Sequence, residues 1–275
     1  MPTNDAARHW EERVDAWLAA EDAFERVTAE PGRQAVDVLD PRPGEAVLDV
    51  GCGAGRATNE LGRRVGPAGR AVGIDLAEGL VARGRERALA NVSFTVGDAE
   101  THDLGSGEFD AGFSLFGAMF FNDPVAAFTN IRRALRRGGR IAIVSWQGVF
   151  ANEWILVPVL AMSSVTGTLP QPPAPDEPGP FALSEPDRVR AILDAAGYTS
   201  IEVTPANGEV VWPEDGIGEL TGLATTVGPV GETMRASDEE TRAAIREAIS
   251  TALGSRVVDG ELRLSRGTLL TTGFA

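Results

Sequence analysis

Three closely spaced glycines are the residues best suited to ligand chemistry in this chain. Gly51, Gly53 and Gly55 come directly after an apolar segment (46–50) and directly before a helical pattern. Glycines at such a turn let the backbone approach a ligand closely, and the free N–H groups at the start of a helix bind a carboxylate or a phosphate. The spacing therefore predicts a ligand-binding loop between a buried strand and a helix.

Carboxylates accompany this loop at three positions. Asp49 precedes the first glycine, Asp75 lies about 20 residues beyond the last one, and Asp98 ends the next strand pattern. An acid at the position of Asp75 can accept hydrogen bonds from a ribose diol. Each acid taken alone fits an ordinary helix cap. Three acids and three glycines at consecutive strand ends instead indicate a ligand site, because ligands bind at the carboxyl ends of parallel strands.

The elements that must position these groups alternate between strand and helix patterns. The predicted strands are AVLDV (46–50), RAVGID (70–75), NVSFTV (91–96), FDAGFSLF (109–116), RIAIVSW (140–146) and two more near 200–205 and 268–274. This alternation predicts an α/β fold, a Rossmann-like doubly wound sheet of seven mostly parallel strands.

Residues that favour helix ends predict where several helices begin and end. Asp123 and Pro124 would begin the helix before the fifth strand, and Gly138–Gly139 would end it. The helix pattern after the second strand extends from Glu78 to Ala90. Capping boxes predict further helix starts at Ser184 and Ser237.

A single domain over 1–275 is the predicted organisation. Its core would comprise about 30–147, 184–212 and 260–275, and its lid an amphipathic helix over 5–28 with insertions at about 150–183 and 213–258. Pro31–Gly32 would interrupt the chain after the first helix. The proline-rich residues 167–180 are predicted to be a surface loop.

Five motifs resemble those of class I S-adenosylmethionine-dependent methyltransferases, and most of all those of the ubiquinone/menaquinone methyltransferase branch. They are LDVGCGAG, GID, GDAE, FDAGFS and LRRGGRIAIVSW, within about residues 43–147. The resemblance implies S-adenosylmethionine as cofactor and S-adenosylhomocysteine as product. The cofactor contacts that it implies are Asp49, Gly51, Cys52, Gly53 and Gly55 around the methionine tail, Asp75 and Leu76 at the ribose, Asp98 and Ala99 at the adenine, and Phe113 and Ser114 beneath the methionine part.

The residue types that are missing exclude several other mechanisms. The chain has no lysine, one cysteine (Cys52) and two histidines (His9 and His102). A Schiff base, a phosphate-binding lysine, an internal disulfide and a thiolate zinc cluster are thereby excluded, and we expect no metal. Methyl transfer from a sulfonium needs none of these groups, because the donor is already activated and the enzyme supplies mainly alignment and exclusion of water.

The charge balance predicts which partners the chain avoids. It carries 40 acidic and 25 basic residues, for a formal net charge of −15. A chain with this much negative charge repels phosphate backbones and anionic lipids. We therefore expect neither a nucleic acid nor a membrane as partner. The N-terminal residues lack a signal peptide's apolar core, which predicts a cytoplasmic location. Oligomeric state, a homodimer included, stays open.

Apolar residues after the fourth strand pattern predict the nature of the methyl acceptor. The predicted acceptor contacts are Trp17, Phe116, Met119, Phe120 and Trp146, which would form an apolar wall. Such a wall suits a hydrophobic small molecule, for example a quinol, a polyketide or another secondary metabolite, methylated on oxygen or carbon. His9, at the start of an aromatic helix, is the candidate catalytic base.

Two other functions are considered. A protein that keeps the cofactor pocket for a different purpose, such as a cyclase or a sensor, stays open because the acceptor side has no committed catalytic group. A nicotinamide-dependent oxidoreductase is disfavoured, because its G-x-G-x-x-G pattern requires glycine where this chain has Arg56.

Overall fold

The computed structural model describes residues 3–170 and 177–275, and its central element is a seven-stranded sheet. Its strands are β1 (Ala46–Val50), β2 (Arg70–Asp75), β3 (Val92–Val96), β4 (Phe109–Leu115), β5 (Leu135–Trp146), β6 (Thr199–Pro205) and a last strand, β10 (Thr268–Phe274). Their order across the sheet is β3-β2-β1-β4-β5-β10-β6. Strands β1 to β5 are parallel, and β10 is antiparallel to both of its neighbours. This is the predicted Rossmann-like sheet, and its strand order reverses between β1 and β4.

The N-terminal segment forms three helices instead of the single helix predicted over 5–28. They are α1 (Thr3–Glu11), α2 (Val14–Ala19) and α3 (Glu21–Leu39). The helices separate because they pack on different partners. Val14 of α2 lies against Ala77 and Leu80, whereas α3 packs on β5. One straight helix could not present its apolar face to both surfaces.

Helix α3 continues through Pro31, where the sequence had predicted an interruption. A proline has no N–H to donate to the carbonyl four residues before it, here that of Val27. Arg266 supplies the missing donor, because its Nη1 lies 3.4 Å from the Val27 oxygen and its Nη2 lies 2.7 Å from Oε2 of Glu30. A buried side chain from the far end of the chain therefore stabilises the helix across the proline.

The helices between the parallel strands confirm most of the predicted pattern. They are α4 (Arg56–Val65), α5 (Glu78–Glu86) and α6 (Pro124–Ala134). Asp123 caps α6 as predicted, accepting a hydrogen bond from the Ala126 N–H at 2.9 Å. The predicted end of this helix at Gly138–Gly139 is wrong, because Leu135 already pairs with Phe109 and the glycines lie in an irregular part of β5. Helix α5 likewise ends at Glu86, before the predicted Ala90.

The C-terminal part adds helices and a second sheet. The helices are α7 (Glu153–Thr166), α8 (Pro186–Ala195), α9 (Ile217–Thr226), α10 (Gly228–Ala236) and α11 (Glu239–Gly254). The strands β7 (Gly208–Pro213), β8 (Val257–Val258) and β9 (Glu261–Arg266) form an antiparallel sheet that the sequence had not predicted. Residues 171–176 of the predicted proline-rich loop lie outside the described residues.

Two predicted capping boxes differ from the structure in detail. Glu185, not Ser184, occupies the position before α8, and its side chain makes no capping hydrogen bond. Asp238, not Ser237, caps α11 by accepting from the Thr241 N–H at 2.8 Å. Within the described ranges, no helix combines the length and the apolar character needed to cross a bilayer.

We predict that Arg266→Met lowers the free energy of unfolding by about 1–3 kcal/mol, because it leaves the buried Val27 carbonyl without a donor. The loss should be smaller in a Pro31→Ala background, where the new N–H of residue 31 reaches the same carbonyl. Urea unfolding of the four proteins in this double-mutant cycle measures the coupling. An equal loss in both backgrounds would contradict the role assigned to Arg266.

Candidate ligand-binding site

A cavity of about 860 Å³ lies over the carboxyl ends of β1, β2 and β4, where the strand order reverses. Residues of α1–α3, α7, α9 and α10 form its other walls. The predicted site residues in its lining are His9, Trp17, Asp49, Gly51, Cys52, Gly53, Gly55, Asp75, Leu76, Asp98, Ala99, Phe116, Met119, Phe120 and Trp146. The fold thus brings fifteen of the seventeen predicted site residues to one cavity.

The glycine loop after β1 is held by its neighbours on both sides. The N–H groups of Gly51 and Cys52 donate to the Ile74 carbonyl at 2.9 and 3.1 Å, which ties the loop to the end of β2. Gly51 has a φ of +69°, and a Cβ there would lie 2.6 Å from the Cα of Gly117. The loops that follow β1 and β4 therefore touch backbone to backbone.

Gly53 is the part of this loop that faces open space. No atom lies within 4 Å of the position that its Cβ would occupy, in contrast to Gly51. Its N–H donates to Oδ2 of Asp75 at 2.8 Å, and the Ala77 N–H donates to Oδ1 at 3.0 Å. Because an ionised carboxylate offers about four lone-pair sites, Asp75 keeps acceptor capacity toward the cavity. Burial raises its pKa, against the effect of these backbone hydrogen bonds.

Asp49 is the most deeply buried acid of the site. It is 1% exposed, and Thr58 Oγ1 donates to its Oδ2 at 2.7 Å. Burial raises the pKa of Asp49 to about 7, and the charge of Asp75 acts in the same direction. This shift favours the neutral carboxyl group, and a cation in the cavity would favour its ionised form.

Cys52 is a packing residue in this loop. Its side chain lies against Gly73, where a Cβ would come within 2.7 Å of the Cys52 sulfur. Burial raises the pKa of the thiol well above its usual range, which keeps it neutral. Among the described residues, no group of three or more histidine, cysteine or acidic side chains is placed to hold a metal ion.

The loop after β3 adds a third acidic wall. Oδ1 of Asp98 accepts from the Glu100 N–H at 2.9 Å, and the Asn130 amide donates to the Ala99 carbonyl at 2.9 Å. Glu100 also lines the cavity and accepts from the backbone N–H groups of Asn122 and Asp123. Burial raises the pKa of Glu100. Sequence reasoning missed this acid, although it lies within the GDAE motif.

Aromatic side chains form the other end of the cavity. Phe116 stacks on Trp146, with ring centroids 3.8 Å apart, and the Trp146 and Trp154 centroids are 5.2 Å apart. Trp10 contacts Phe120 edge to face at 4.8 Å. Neither Trp10 nor Trp154 was among the site residues predicted from the sequence. An aromatic residue at the start of the predicted insertion was the available signal for the latter.

Phe113 and Ser114 lie outside the lining of this cavity. Phe113 is 2% exposed in the core. The Ser114 hydroxyl donates to the Val50 carbonyl at 2.7 Å and accepts from the Ala118 N–H at 3.1 Å. The two residues join β4 to β1 and support the glycine loop from below.

His9 lies in the lining at the end of the cavity that α1 and α10 form. The imidazole is half-buried, and burial lowers its pKa, with the nearby Arg13 charge acting in the same direction. Glu232 and Glu12 oppose this shift. The side chain is therefore mainly neutral at pH 7, as a proton acceptor must be.

A segment of this chain that includes the glycine loop is similar to a known protein family. Residues 47–139 match the model for a methyltransferase domain. The nocamycin O-methyltransferase of Saccharothrix syringae is 34% identical over 180 residues, which cover 62% of this chain and 64% of that protein. The aklanonic acid methyltransferase of Streptomyces sp. (strain C5) is 39% identical over 118 residues, which cover 42% of this chain and 54% of that protein. The chain thus spans less than two thirds of these relatives' lengths.

One solved structure with a similar fold is that of a protein from Anaeromyxobacter dehalogenans, which is named as a candidate type II methyltransferase. The two superpose with a TM-score of 0.60 and 21% sequence identity, over 89% of this chain and 96% of the other. This likeness extends beyond the region matched by the family model and concerns the fold alone.

We predict that Asp49→Asn stabilises the protein at high pH. The folded-state pKa of about 7 lies above the unfolded value near 4, so the stability contributed by this group is lost as the pH rises through that interval. Asparagine stays neutral and still accepts from Thr58. At pH 8 the variant should exceed the wild type by a few kcal/mol of unfolding free energy, on the order of 1.4 kcal/mol per unit of pKa shift.

Urea unfolding at pH 5 and pH 8 measures this effect, with the exposed Asp194→Asn as the matched control. The advantage of Asp49→Asn should shrink at pH 5. A difference from the wild type that is the same at both pH values would mean that Asp49 has an ordinary pKa.

Proposed function

From the class I S-adenosylmethionine-dependent methyltransferase domain that this chain contains, we propose that the protein transfers a methyl group from S-adenosylmethionine to a hydrophobic small-molecule acceptor, on oxygen or carbon. The predicted cofactor and acceptor contacts in the cavity are part of this proposal. So is the role of α1–α3 and the insertions as a lid.

The observation that carries the proposal is the contact between Gly51 and Gly117. Gly117, which follows Phe116 in the chain, lies directly against the glycine loop, and its backbone atoms are in van der Waals contact with those of Gly51. The acidic end and the aromatic end of the cavity therefore adjoin. A donor held by the loop and an acceptor held by the aromatic residues would meet with little space for water between them.

The residues at the acidic end fit a nucleoside with a cationic sulfur. Gly53 leaves open space beside its backbone, and Asp75 keeps acceptor capacity for a ribose diol. Asp49, Asp98 and Glu100 surround this space with carboxyl groups, which attract a cation. S-adenosylmethionine would supply an activated methyl group here, and it departs as a neutral thioether.

The chain's own contribution to the reaction is mainly positioning. The Phe116 and Trp146 rings stack on each other and line the cavity, and the apolar wall that they form would orient the acceptor and exclude water. An oxygen acceptor must lose a proton, and the neutral His9 imidazole is the candidate to receive it. A carbon acceptor with an acidic proton would need less help.

The relatives support the acceptor class without defining the acceptor. One is named for nocamycin and another for aklanonic acid. A secondary metabolite fits the apolar, aromatic end of the cavity better than a nucleic acid or a protein segment does. The cytoplasmic location and the homodimer stay predictions.

We predict that Asp75→Ala weakens the binding of S-adenosylhomocysteine by one to several orders of magnitude. Two hydrogen bonds from a ribose diol to a carboxylate contribute about 1.5–3 kcal/mol each, less what water recovers. Isothermal titration calorimetry measures the dissociation constant, and Asp194→Ala, an exposed acid outside the cavity, is the matched control. An unchanged dissociation constant for Asp75→Ala would mean that this carboxylate only accepts hydrogen bonds from the Gly53 and Ala77 N–H groups and does not bind the ribose.

We predict methyl incorporation from labelled S-adenosylmethionine into flat apolar phenols or carbon acids. Mass spectrometry of the products identifies the methylated atom. Trp146→Ala should raise the KM of the acceptor up to about tenfold and leave that of S-adenosylmethionine within about twofold, because a contact between two aromatic rings contributes about 0.5–1.5 kcal/mol. Phe150→Ala is the matched control, because Phe150 is 85% exposed and lies outside the cavity.

Activity confined to proteins, nucleic acids or small charged amines would contradict this function. So would a product that is rearranged without gaining a methyl group, which would instead support a cyclase.

A further inference from the structure

The arginines that line the cavity fall into two groups according to their partners. Arg56, Arg63, Arg64 and Arg87 form ion pairs with the carboxylates of Glu21, Asp22, Asp37 and Glu60. Arg13, Arg33 and Arg235 have no carboxylate at ion-pairing distance within the described ranges. In a chain with a net charge of −15, unpaired arginines at a cavity are unexpected.

Arg13 differs from the other two because its side chain is half-buried. Its Nη1 donates to the His9 carbonyl at 2.6 Å, and this bond holds the guanidinium group at the end of α1. A guanidinium carries five N–H donors, so most of them are left for other partners. Burial lowers the pKa of Arg13, and the charge of Arg235 adds to this effect.

Arg235 approaches the same place from the opposite wall. It lies on α10, and its Nη1 donates to the Thr226 carbonyl at 3.4 Å. Glu232 and Glu12 act on Arg13 in the stabilising direction but do not pair with it. Arg33, by contrast, is exposed on α3, where water satisfies its donors.

The surroundings of Arg13 are those of the aromatic end of the cavity. Its N–H donates to the Trp10 carbonyl at 3.0 Å, and its carbonyl accepts from the Trp17 N–H at 2.9 Å. The Trp10 and Trp17 rings both line the cavity, with centroids 6.1 Å apart. Arg13 and the two tryptophans therefore line the same cavity, with Arg13 between them in the sequence.

We propose that Arg13, assisted by Arg235 from the opposite wall, binds a carboxylate on the methyl acceptor. Guanidinium groups bind carboxylates through paired, charge-assisted hydrogen bonds, which are stronger than neutral ones. The acceptor class is then a flat apolar acid, with its ring system on the aromatic residues and its carboxylate between α1 and α10. This inference rests on the proposed function, because it assigns that end of the cavity to the acceptor.

The test uses 2-naphthoate and its neutral amide, 2-naphthamide, as probes of the same shape. Their dissociation constants are measured by calorimetry with S-adenosylhomocysteine at saturation. The wild type should bind naphthoate at least tenfold more tightly than naphthamide. Arg13→Gln should weaken naphthoate binding about tenfold or more, leave naphthamide binding within about twofold, and so abolish the preference.

Three further variants separate charge from folding. Arg13→Lys should keep part of the preference, because it keeps the charge and loses the paired geometry. Arg235→Gln should reduce the preference about threefold, since this arginine is exposed. Arg137→Gln removes one charge at an exposed position outside the cavity and should leave both probes unaffected.

Equal binding of the two probes by the wild type would overturn the inference. It would also be overturned if Arg13→Gln weakened S-adenosylhomocysteine but not methylthioadenosine, which lacks the amino-acid part, because Arg13 would then bind the cofactor's carboxylate. If the wild-type protein binds no S-adenosylhomocysteine, the proposed function is contradicted instead. The affinities for naphthoate and naphthamide are then compared in the absence of the cofactor, and they still test whether Arg13 binds a carboxylate.

Discussion

The close approach of two backbone segments is the constraint on which the site depends. Gly51 and Gly117 lie at the start of the loops that follow β1 and β4, the two strands at which the strand order reverses, and neither position has room for a Cβ. Ser114 strengthens the same junction from below by bonding to the Val50 carbonyl. The glycine loop and the aromatic wall are therefore joined through packed backbone, and the distance between these two parts of the cavity is set by packing rather than by flexible side chains.

Charge distribution is the second constraint on the cavity. Removing carboxyl groups from water favours their neutral forms, and Asp49, Asp75 and Glu100 all have raised pKa values for this reason. Each acid is nevertheless held by specific hydrogen-bond donors. The protein thereby keeps a set of acids that a positive ligand can ionise. At the opposite end, Arg13 and Arg235 line the cavity without an ion-pair partner among the described residues, and Glu232 lines the same wall.

Local sequence signals predicted the elements that carry the glycine loop and its acids. The apolar runs, the glycines and the strand-end acids lie close together in sequence, and their chemistry needs no distant partner. Pro31 shows where this reasoning fails. It reads as a helix end by local rules, but Arg266, which is 239 positions away from Val27, replaces the missing donor. The sheet of β7 and β9 was missed for the same reason, since Val210 pairs with Leu264 across a long insertion.

The sequence likewise indicated those cavity residues that belong to local motifs, but not those that reach the cavity from other elements. Predicted residues that a strand end or a turn orients line the cavity, whereas Phe113 and Ser114 lie outside its lining, because a motif does not reveal which face of a strand points to the cavity. Arg13, Glu100 and Trp154 reach the cavity through tertiary packing of separate elements. The GDAE motif around Glu100 and the aromatic type of Trp154 were available signals, but the cavity itself was needed to connect these residues with Arg13.

The cavity is assembled from two parts of the chain, one inside and one outside the segment that matches the methyltransferase-domain model. The glycine loop and the acids lie within residues 47–139, whereas Trp10, Arg13, Trp154 and Arg235 lie outside that segment. Substitutions in the outer segments leave the Gly51–Gly117 junction intact. Such a division separates two parts of the lining: side chains that the outer segments contribute can be exchanged while the glycine loop and its acids are kept.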